Sequence, residues 1–243
     1  MIAKLEQYER EIQDSSAILA HELRTPLNAA MGRLQGMIDG VFAPEPEQLL
    51  MIMRKLEQLN RLVADLHLLS LARAGQLVLD RSRFPLHEMI SECLSWAAPQ
   101  IERSAMRVSE RIDPALVVEA DRNRLRQVFA ILIDNALRYA ADGGQLDVDA
   151  FISNNCVTTE FSDRGCGIDP EDLARVFDRF WRAENSRARH SGGSGLGLSI
   201  ASAICIAHGG SITAVNRDGG GATVRVSLPI RTAAPRPPNG SAG

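Results

Sequence analysis

A histidine, a glutamate, a threonine and a proline lie within one apolar helical segment near the N-terminus, residues 17–31, which read AILAHELRTPLNAAM. An α-helix advances by about 100° per residue, so the direction of each side chain follows from its position. By that count His21 points roughly 170° away from an apolar stripe, and Thr25 and Asn28 lie on nearly the same side as His21. The stripe comprises Ile12, Ser16, Leu19, Leu23, Pro26 and Ala30. The pattern therefore predicts an exposed imidazole rather than a core histidine.

The neighbours of His21 favour chemistry at its ring. Glu22 is adjacent, and a carboxylate beside an imidazole can accept one ring proton, which leaves the other nitrogen as a nucleophile. Pro26 removes a backbone donor and disfavours the α conformation at Thr25, so we expect the helix to bend at this turn. An ordinary exposed histidine has the same phase. A reactive histidine therefore needs a second group, elsewhere in the chain, that supplies its substrate.

Two glycine-rich segments are candidates for the site that supplies the substrate of His21. SDRGCGI, residues 162–168, puts Asp163 at the end of a predicted strand with Gly165 and Gly167 behind it. A carboxylate there could accept the exocyclic amine of a purine, although Asp-x-Gly is also ordinary turn chemistry.

The second group, SGGSGLGLSI at residues 191–200, places Gly193, Ser194, Gly195 and Gly197 at a predicted helix start. Free amides and the helix dipole favour phosphate at such a position. The sequence contains no G-x-x-x-x-G-K-[ST] loop and no protein-kinase H-R-D or D-F-G set, so it predicts neither of those nucleotide sites.

The elements that must position these residues fall into two parts. Residues 1 to about 74 read as two helices joined by a loop at 39–48, with Gly40 as the C-cap. The second helix carries two adjacent apolar stripes that one hairpin cannot bury, so we expect a homodimer in which two hairpins form a four-helix bundle. Packing of the second stripe on the following domain is the alternative.

From about residue 84 the pattern becomes α/β, with neighbouring strand pairs that predict a mixed sheet covered by helices on one face. The predicted strands are 107–112, 116–120, 145–153, 156–163, 211–216 and 222–230, and the predicted helices are 85–104, 121–140 and 195–210. Residues 231–243, rich in Pro, Gly, Ser and Ala, are expected to be a disordered tail.

Composition narrows the possible classes of protein. The chain has 243 residues, of which 45% are hydrophobic, and a net charge of -3. Basic residues are scattered, so no nucleic-acid partner is expected. The four cysteines are far apart in the sequence, which predicts reduced thiols and no zinc site. No apolar run is long enough for a membrane helix, and the N-terminus lacks a signal-peptide core.

HELRTPLN, residues 21–28, resembles the H-box of sensor histidine kinases. LRQVFAILIDNALRY, FDRFWR and the two glycine groups resemble the N, F, G1 and G2 boxes of that family's ATP-binding domain, which shares its fold with gyrase, Hsp90 and MutL. The resemblance covers about residues 15–230 and is strongest to the subgroup that contains BaeS and AdeS. It implies a dimerisation domain over 1–76 and a GHKL (Bergerat) type α/β sandwich over 84–230.

The resemblance also implies roles for individual residues. His21 would accept the γ-phosphoryl group of ATP on Nε2, with Glu22 as general base, and Thr25 would help to place water for dephosphorylating a response regulator. Arg182 would approach the γ-phosphate. Phe177 and Phe180 would anchor a lid, residues 184–193, that closes over the nucleotide.

For the nucleotide, the resemblance implies the cofactors ATP and Mg²⁺. Asn135 would bind Mg²⁺ through its amide oxygen, Arg138 would meet phosphate, Tyr139 would line the pocket and Asp163 would read adenine. The glycine boxes would cradle the nucleotide through Gly165, Gly167, Gly193, Ser194, Gly195, Leu196 and Gly197. GGGATVRV, residues 219–226, resembles the last glycine box, although a hairpin turn explains its glycines equally well.

Two positions depart from the family pattern. Ile131 stands where many members have a second Asn, so altered kinase strength or metal dependence is expected, and a weak kinase that acts mainly as a regulator-binding phosphatase is the competing function. Cys166 occupies the variable position of the G1 loop, where redox sensing is a further reading. A third reading, a gyrase-like or MutL-like ATPase, is disfavoured by the H-box.

The remaining expectations concern partners and location. The resemblance implies a homodimer and the receiver domain of a response regulator as partners. It also implies the cytoplasmic portion of a bacterial inner-membrane receptor, attached through transmembrane segments that are missing from this sequence.

Overall fold

A computed structural model describes residues 2–139, 144–182 and 194–230, with side chains from residue 17 onward. In chain order the elements are α1 (Ile2–Ile38), α2 (Pro46–Arg73), β1 (Arg81–Pro85), α3 (Leu86–Arg103), β2 (Arg107–Ile112), β3 (Val117–Asp121), α4 (Arg122–Tyr139), β4 (Gln145–Ser153), β5 (Cys156–Asp163), α5 (Gly197–Ala207), β6 (Ser211–Asn216) and β7 (Ala222–Pro229). The tail lies outside the described residues.

The chain divides into two compact units. One is built from Met1–Leu77 and Ala174–Ala203, and the other from Val78–Leu173 and Ile204–Gly243. Each unit therefore combines two separate segments of the chain. The domain bounds expected from the sequence, 1–76 and 84–230, stay predictions.

The helical hairpin turns where the glycine signal predicts. α1 ends at Ile38, and Gly40 adopts φ +73°, the left-handed conformation of a helix C-cap. The backbone N–H groups of Val41 and Phe42 both donate to the Gly36 carbonyl oxygen, at 2.8 and 3.1 Å. Pro46 then stands in the first turn of α2, where its missing N–H costs no helical hydrogen bond.

The hairpin leaves much of its apolar surface exposed. The large apolar side chains that are 40–78% exposed belong to Ile18, Leu27, Met31, Leu34, Ile38, Val41, Leu49, Leu50, Met51, Met53, Leu56 and Val63. Large exposed apolar patches mark interaction sites. None of the helices that the structure describes is long and apolar enough to cross a membrane.

A five-stranded mixed sheet forms the centre of the second unit, in the order β2-β4-β5-β7-β6. β2 pairs with β4 in parallel, and the other pairs are antiparallel. α3 packs against α4, and α4 contacts β5 through Phe129 and Phe161, whose ring centroids lie 5.4 Å apart. The predicted helical hairpin and mixed α/β sheet are confirmed.

A separate two-stranded sheet was not predicted in full. β1 pairs antiparallel with β3, Phe84 opposite Val118, but the short polar segment RSRFP carries no alternation long enough to indicate a strand. Asp121, at the end of β3, caps α4: its Oδ1 accepts the Arg124 N–H at 3.0 Å, and its Oδ2 accepts the Asp80 N–H at 3.0 Å.

A buried histidine joins the end of α5 to the start of α4. His208 is 1% exposed, and its Nδ1 lies 2.8 Å from the Ile204 carbonyl oxygen. A carbonyl only accepts, so Nδ1 carries the proton, and Nε2 accepts the backbone N–H of Asp121 at 3.0 Å. This side chain therefore satisfies a buried donor at the point where α4 begins.

His208→Leu is expected to lower the free energy of unfolding by about 1–3 kcal/mol, because the buried N–H of Asp121 loses its acceptor. Thermal unfolding followed by circular dichroism measures the change. His67→Leu, on an exposed position of α2, is the matched control and should shift stability by less than about 0.5 kcal/mol. Equal effects of the two substitutions would contradict this account.

Candidate functional site

The phase of α1 puts the predicted reactive strip on the surface. His21, Thr25 and Asn28 are exposed, whereas Pro26 and Ala30 are buried. The helix does not end at Pro26, and the bend expected there stays a prediction. The one helix thus has a packed face and a face open to a reaction partner.

Hydrogen bonding around His21 involves its backbone. The Thr25 hydroxyl donates to the His21 carbonyl oxygen over 3.0 Å, one turn back along the same helix. In the part of the chain that the structure describes, no hydrogen bond joins the Glu22 carboxylate to the imidazole. Glu22 is half-buried, whereas His21 beside it is exposed.

Asp163 lies at the end of β5 and is fixed by the loop that follows it. Its Oδ1 accepts the backbone N–H groups of Gly165, at 2.8 Å, and Ala222, at 3.2 Å. No described residue donates to its Oδ2. One carboxylate oxygen is therefore used to hold the loop, and the other is available to a ligand that carries a donor.

Two glycines allow the backbone to close around this carboxylate. Gly221 has φ +88°, and a Cβ placed on it would overlap the Asp163 carbonyl oxygen. Gly167 has φ +73°, and its Cβ would lie 3.0 Å from Oδ1 of Asn216. The close approach explains why both positions need glycine.

α4 presents the residues implied for metal and phosphate. Asn135 is half-buried, and its amide makes no hydrogen bond with any described residue, so its oxygen is open to a cation. Arg138 pairs with Asp134 at 2.9 Å, and Tyr139 is 43% exposed. Ile131, one turn before Asn135, is half-buried and adds no polar atom to this face.

The apolar residues of α4 lie three and four residues apart and are buried, which fixes the orientation of the helix. They are Leu125, Val128, Phe129, Leu132, Ile133 and Ala136. Asn135 sits between two of them in sequence but on the edge of their face. Its half-buried position therefore follows from the packing of its neighbours.

In the other unit, the F-box and the G2 box are joined through their backbones. The Phe180 N–H donates to the Gly195 carbonyl oxygen at 2.9 Å. Phe180 has φ +61° and is buried, and a Cβ on Gly195 would lie 2.7 Å from the Phe180 carbonyl carbon. A bulky residue in the left-handed region marks a strained turn that the contact with Gly195 requires.

α5 begins at Gly197, two residues after the predicted start of this helix at Gly195. Leu196 is fully buried, and the hydroxyl of Ser194 accepts the Leu196 N–H at 3.4 Å. Phe177 and Arg182 are half-buried. Gly193 and the predicted lid, 184–193, lie outside the described residues.

The cysteines differ in burial and therefore in reactivity. All four cysteines are free, as predicted. Burial raises the pKa of the Cys93 thiol to about 11 and that of Cys205 to about 12, so both are inert, whereas Cys166 is exposed. Across the described ranges, His, Cys, Asp and Glu side chains form no group of three that could hold a metal ion.

Sequence reasoning missed the residues that hydrogen-bond to the two ends of the loop after Asp163. Asn216 and Arg217, at the end of β6, bond to Ile168 and to the Asp163 backbone, and Asp147 pairs with Arg217. No local signal identifies them, because these contacts join residues 48 to 70 positions apart that only the sheet order brings together.

Two family profiles match the chain. The profile described as "His Kinase A (phospho-acceptor) domain" matches residues 11–75, and "Histidine kinase-, DNA gyrase B-, and HSP90-like ATPase" matches residues 120–232.

Individual relatives cover most of the chain. It is 34% identical over 230 residues to the signal transduction histidine-protein kinase BaeS of Escherichia coli K12, covering 95% of this chain and 49% of that protein. It is 31% identical to the Acinetobacter baumannii histidine kinase AdeS, with a TM-score of 0.73, covering 87% of this chain and 98% of that one. ThkA, solved in complex with the response regulator protein TrrA, has the same fold, with a TM-score of 0.66 at 24% identity. The chain spans about half, or less, of the length of the curated relatives it matches.

Gly221→Ala is expected to weaken binding of a fluorescent ATP analogue by at least about tenfold, because the new methyl group displaces the Asp163 carbonyl and with it the free carboxylate oxygen. Fluorescence titration measures the dissociation constant.

Gly219→Ala is the matched control. Gly219 has a similar φ of +90° in the same turn, but a Cβ there meets open space. It carries the same backbone strain without the overlap, so its nucleotide affinity should stay within about twofold of wild type. Similar losses in the two variants would show that strain, and not contact with Asp163, is responsible.

Proposed function

Because the chain belongs to the sensor histidine kinase family, we propose that it transfers the γ-phosphoryl group of ATP to His21 and then to an aspartate of a response regulator. The observation that carries this proposal is the exposed face of α1, where His21 stands opposite a buried seam and is accessible to a donor. An exposed histidine alone would not suffice. The second unit has a carboxylate oxygen, on Asp163, and an amide, on Asn135, to which no described residue hydrogen-bonds, and such groups suit a bound nucleotide.

In the proposed reaction, Nε2 of His21 attacks the γ-phosphorus, the N–P bond forms, and the bond to the β,γ-bridging oxygen breaks as ADP leaves. Glu22, which follows His21 directly in the sequence, accepts the proton from the imidazole. The resulting phosphohistidine is labile, and the phosphoryl group passes to the regulator's carboxylate. Positioning and charge stabilisation supply most of the catalysis in such transfers.

The residues of the second unit fit the proposed cofactor. Asp163 offers Oδ2 to the exocyclic amine of adenine, and Asn135 offers its amide oxygen to Mg²⁺. Mg²⁺, when bound, neutralises charge on the phosphates. Arg138 and Tyr139 follow Asn135 on α4 and would contact phosphate and line the pocket.

The second glycine group supplies the proposed phosphate cradle, through Gly193, Ser194, Gly195, Leu196 and Gly197. Backbone N–H groups at the N-terminus of a helix suit phosphate, and α5 begins at Gly197. Arg182, at the end of the F-box, would stabilise charge on the γ-phosphate. Gly165 and Gly167 would let the nucleotide approach the backbone near Asp163.

The proposed assembly is a homodimer in which α1 and α2 of two copies form a four-helix bundle. The large apolar side chains that the hairpin leaves exposed support it, since burying such side chains stabilises association. The receiver domain of a response regulator is the proposed second partner, docking near the exposed strip of His21. On family grounds, the cytoplasmic side of a bacterial inner membrane is the proposed location.

One observation favours a second function. Ile131 puts an apolar side chain one turn from Asn135, where an amide would add a polar group near the metal. A protein with weak phosphoryl transfer would act mainly as a dimeric phosphatase for its regulator.

Incubation with γ-labelled ATP and Mg²⁺ separates the two functions. We expect acid-labile, base-stable label on the wild-type chain and none on His21→Gln, because the nucleophile is removed. His67→Gln, which replaces another exposed histidine on α2, should retain the label. Wild type without label would favour the phosphatase function, and label that survives in His21→Gln would place the acceptor elsewhere.

Thr25→Ala is expected to slow dephosphorylation of the phosphorylated regulator by at least about tenfold, since the hydroxyl that would orient water is lost. Autophosphorylation of His21 should change by less than about threefold, because among the described residues the Thr25 hydroxyl hydrogen-bonds to the His21 backbone and not to the ring. Thr25→Ser keeps a hydroxyl and should restore dephosphorylation. Unchanged dephosphorylation in Thr25→Ala would exclude this role.

A further inference from the structure

The loop that follows Asp163 is held at both ends by two consecutive side chains. Nδ2 of Asn216 donates to the Ile168 carbonyl oxygen at 2.6 Å, and Oδ1 of Asn216 accepts the Ile168 N–H at 2.8 Å. Arg217 donates through NH1 to the Asp163 carbonyl oxygen at 3.1 Å. We call these two side chains the β6 clamp. They fix the first and last residues of the 163–168 loop to the end of β6, which β7 separates from β5 in the sheet.

The arginine of the clamp is itself held from β4. Its NH1 lies 3.7 Å from Oδ2 of Asp147, a carboxylate only 6% exposed. Oδ1 of Asp147 accepts the Ser109 hydroxyl at 2.7 Å and the Gln145 amide at 2.9 Å. The anchor for Arg217 is therefore rigid and tied to the sheet.

Asp147 is charged near neutral pH. Burial alone would raise the pKa of this carboxyl, but hydrogen bonds from Ser109 and Gln145, with the nearby charges of Arg217 and Arg111, hold the pKa below its ordinary value. The ion pair with Arg217 is thus present under working conditions.

The clamp determines where the free oxygen of Asp163 stands. Oδ1 is occupied by the loop's own N–H groups from Gly165 and Ala222, so the carboxylate cannot turn without breaking them. The position of Oδ2 then depends on the backbone of Asp163 and on the path of the loop. Arg217 fixes the Asp163 backbone, and Asn216 fixes the far end of the loop at Ile168.

Asn216 and Arg217 contribute more to the order of the 163–168 loop than to the stability of the fold. Asn216 is exposed and the Arg217 side chain is 28% exposed, and contacts of exposed polar groups contribute little to global stability. Their short, reciprocal hydrogen bonds therefore restrict the loop locally more than they stabilise the fold. Restricting a loop before binding lowers the ordering cost that a ligand must otherwise meet.

We propose that Asn216 and Arg217 are positioning residues for the nucleotide base: they hold the 163–168 loop so that the free carboxylate oxygen of Asp163 stays aligned with the amine of adenine. Asp147 acts with them by fixing Arg217. None of the three touches the nucleotide in this scheme. The inference rests on the proposed function, because it takes the ligand of Asp163 to be ATP.

The test compares Asn216→Ala, Arg217→Met and Arg217→Lys with wild type. Dissociation constants for MgATP and MgGTP are measured by competition with a fluorescent ATP analogue. We expect the affinity for ATP to fall by about tenfold in the first two variants, with a smaller change for GTP, so that the preference for ATP falls. Autophosphorylation at saturating ATP should stay within about twofold of wild type. Arg217→Lys keeps a charged donor and should recover part of the affinity.

Arg225→Met is the matched control. It breaks an ion pair of the same sheet, Arg225 with Glu160 at 2.7 Å, that does not touch the loop. It should leave both nucleotide affinities unchanged and should have a thermal midpoint similar to that of Arg217→Met. In the double variant Asp147→Asn/Arg217→Met, the loss should be no larger than in Arg217→Met, since the two residues act through one contact.

Hydrogen exchange of the nucleotide-free protein tests the clamp without any ligand. The Ile168 amide donates to Asn216, so its exchange should be faster in Asn216→Ala than in wild type. Unchanged exchange, or unchanged ATP affinity and preference in the clamp variants, would overturn the proposal. A wild-type chain that binds no ATP would overturn the proposed function as well, whereas ATP binding without label on His21 would overturn phosphoryl transfer alone.

Discussion

The antiparallel pairing of β5 with both β4 and β7 is the constraint on which the nucleotide half of the molecule depends. It brings Asp163, at the end of β5, beside the turn that precedes β7, where Gly221 lies against the Asp163 carbonyl and Ala222 donates to its carboxylate. A shift of one residue in this register would point Asp163 to the other face of the sheet. The glycines, the free carboxylate oxygen and the β6 clamp all follow from this register.

The histidine half of the molecule depends on the phase of one helix. In α1 the buried Pro26 and Ala30 and the exposed His21 and Thr25 alternate so that packing and reactivity use opposite sides. A helix buried all round could not present an acceptor, and one exposed all round could not be held in a bundle. The apolar side chains that the hairpin leaves exposed are the surface on which the proposed homodimer would form.

Buried polar groups connect the elements in the second unit. The Asp121 carboxylate caps α4, and the Asp121 N–H donates to Nε2 of His208. Asp147 accepts a hydrogen bond from Ser109 of β2 and forms an ion pair with Arg217. These polar partners make burial of a charge or an imidazole tolerable. Such networks have discrete geometry, so they fix the start of the helix that carries Asn135 and the loop that carries Asp163 more tightly than apolar packing alone.

The sequence by itself determined the helical hairpin with its Gly40 cap, the exposed His21, the strand that ends at Asp163 and the helix after the second glycine group, because periodicity and turn chemistry are local properties. Its motifs also identified the sensor histidine kinase family. It missed β1, which is stable only through its pairing with β3. The roles of individual site residues stay predictions. Only the tertiary structure decided that Asn216, Arg217 and Asp147 meet the Asp163 loop, since strand order and register, and not any nearby sequence pattern, bring distant residues together.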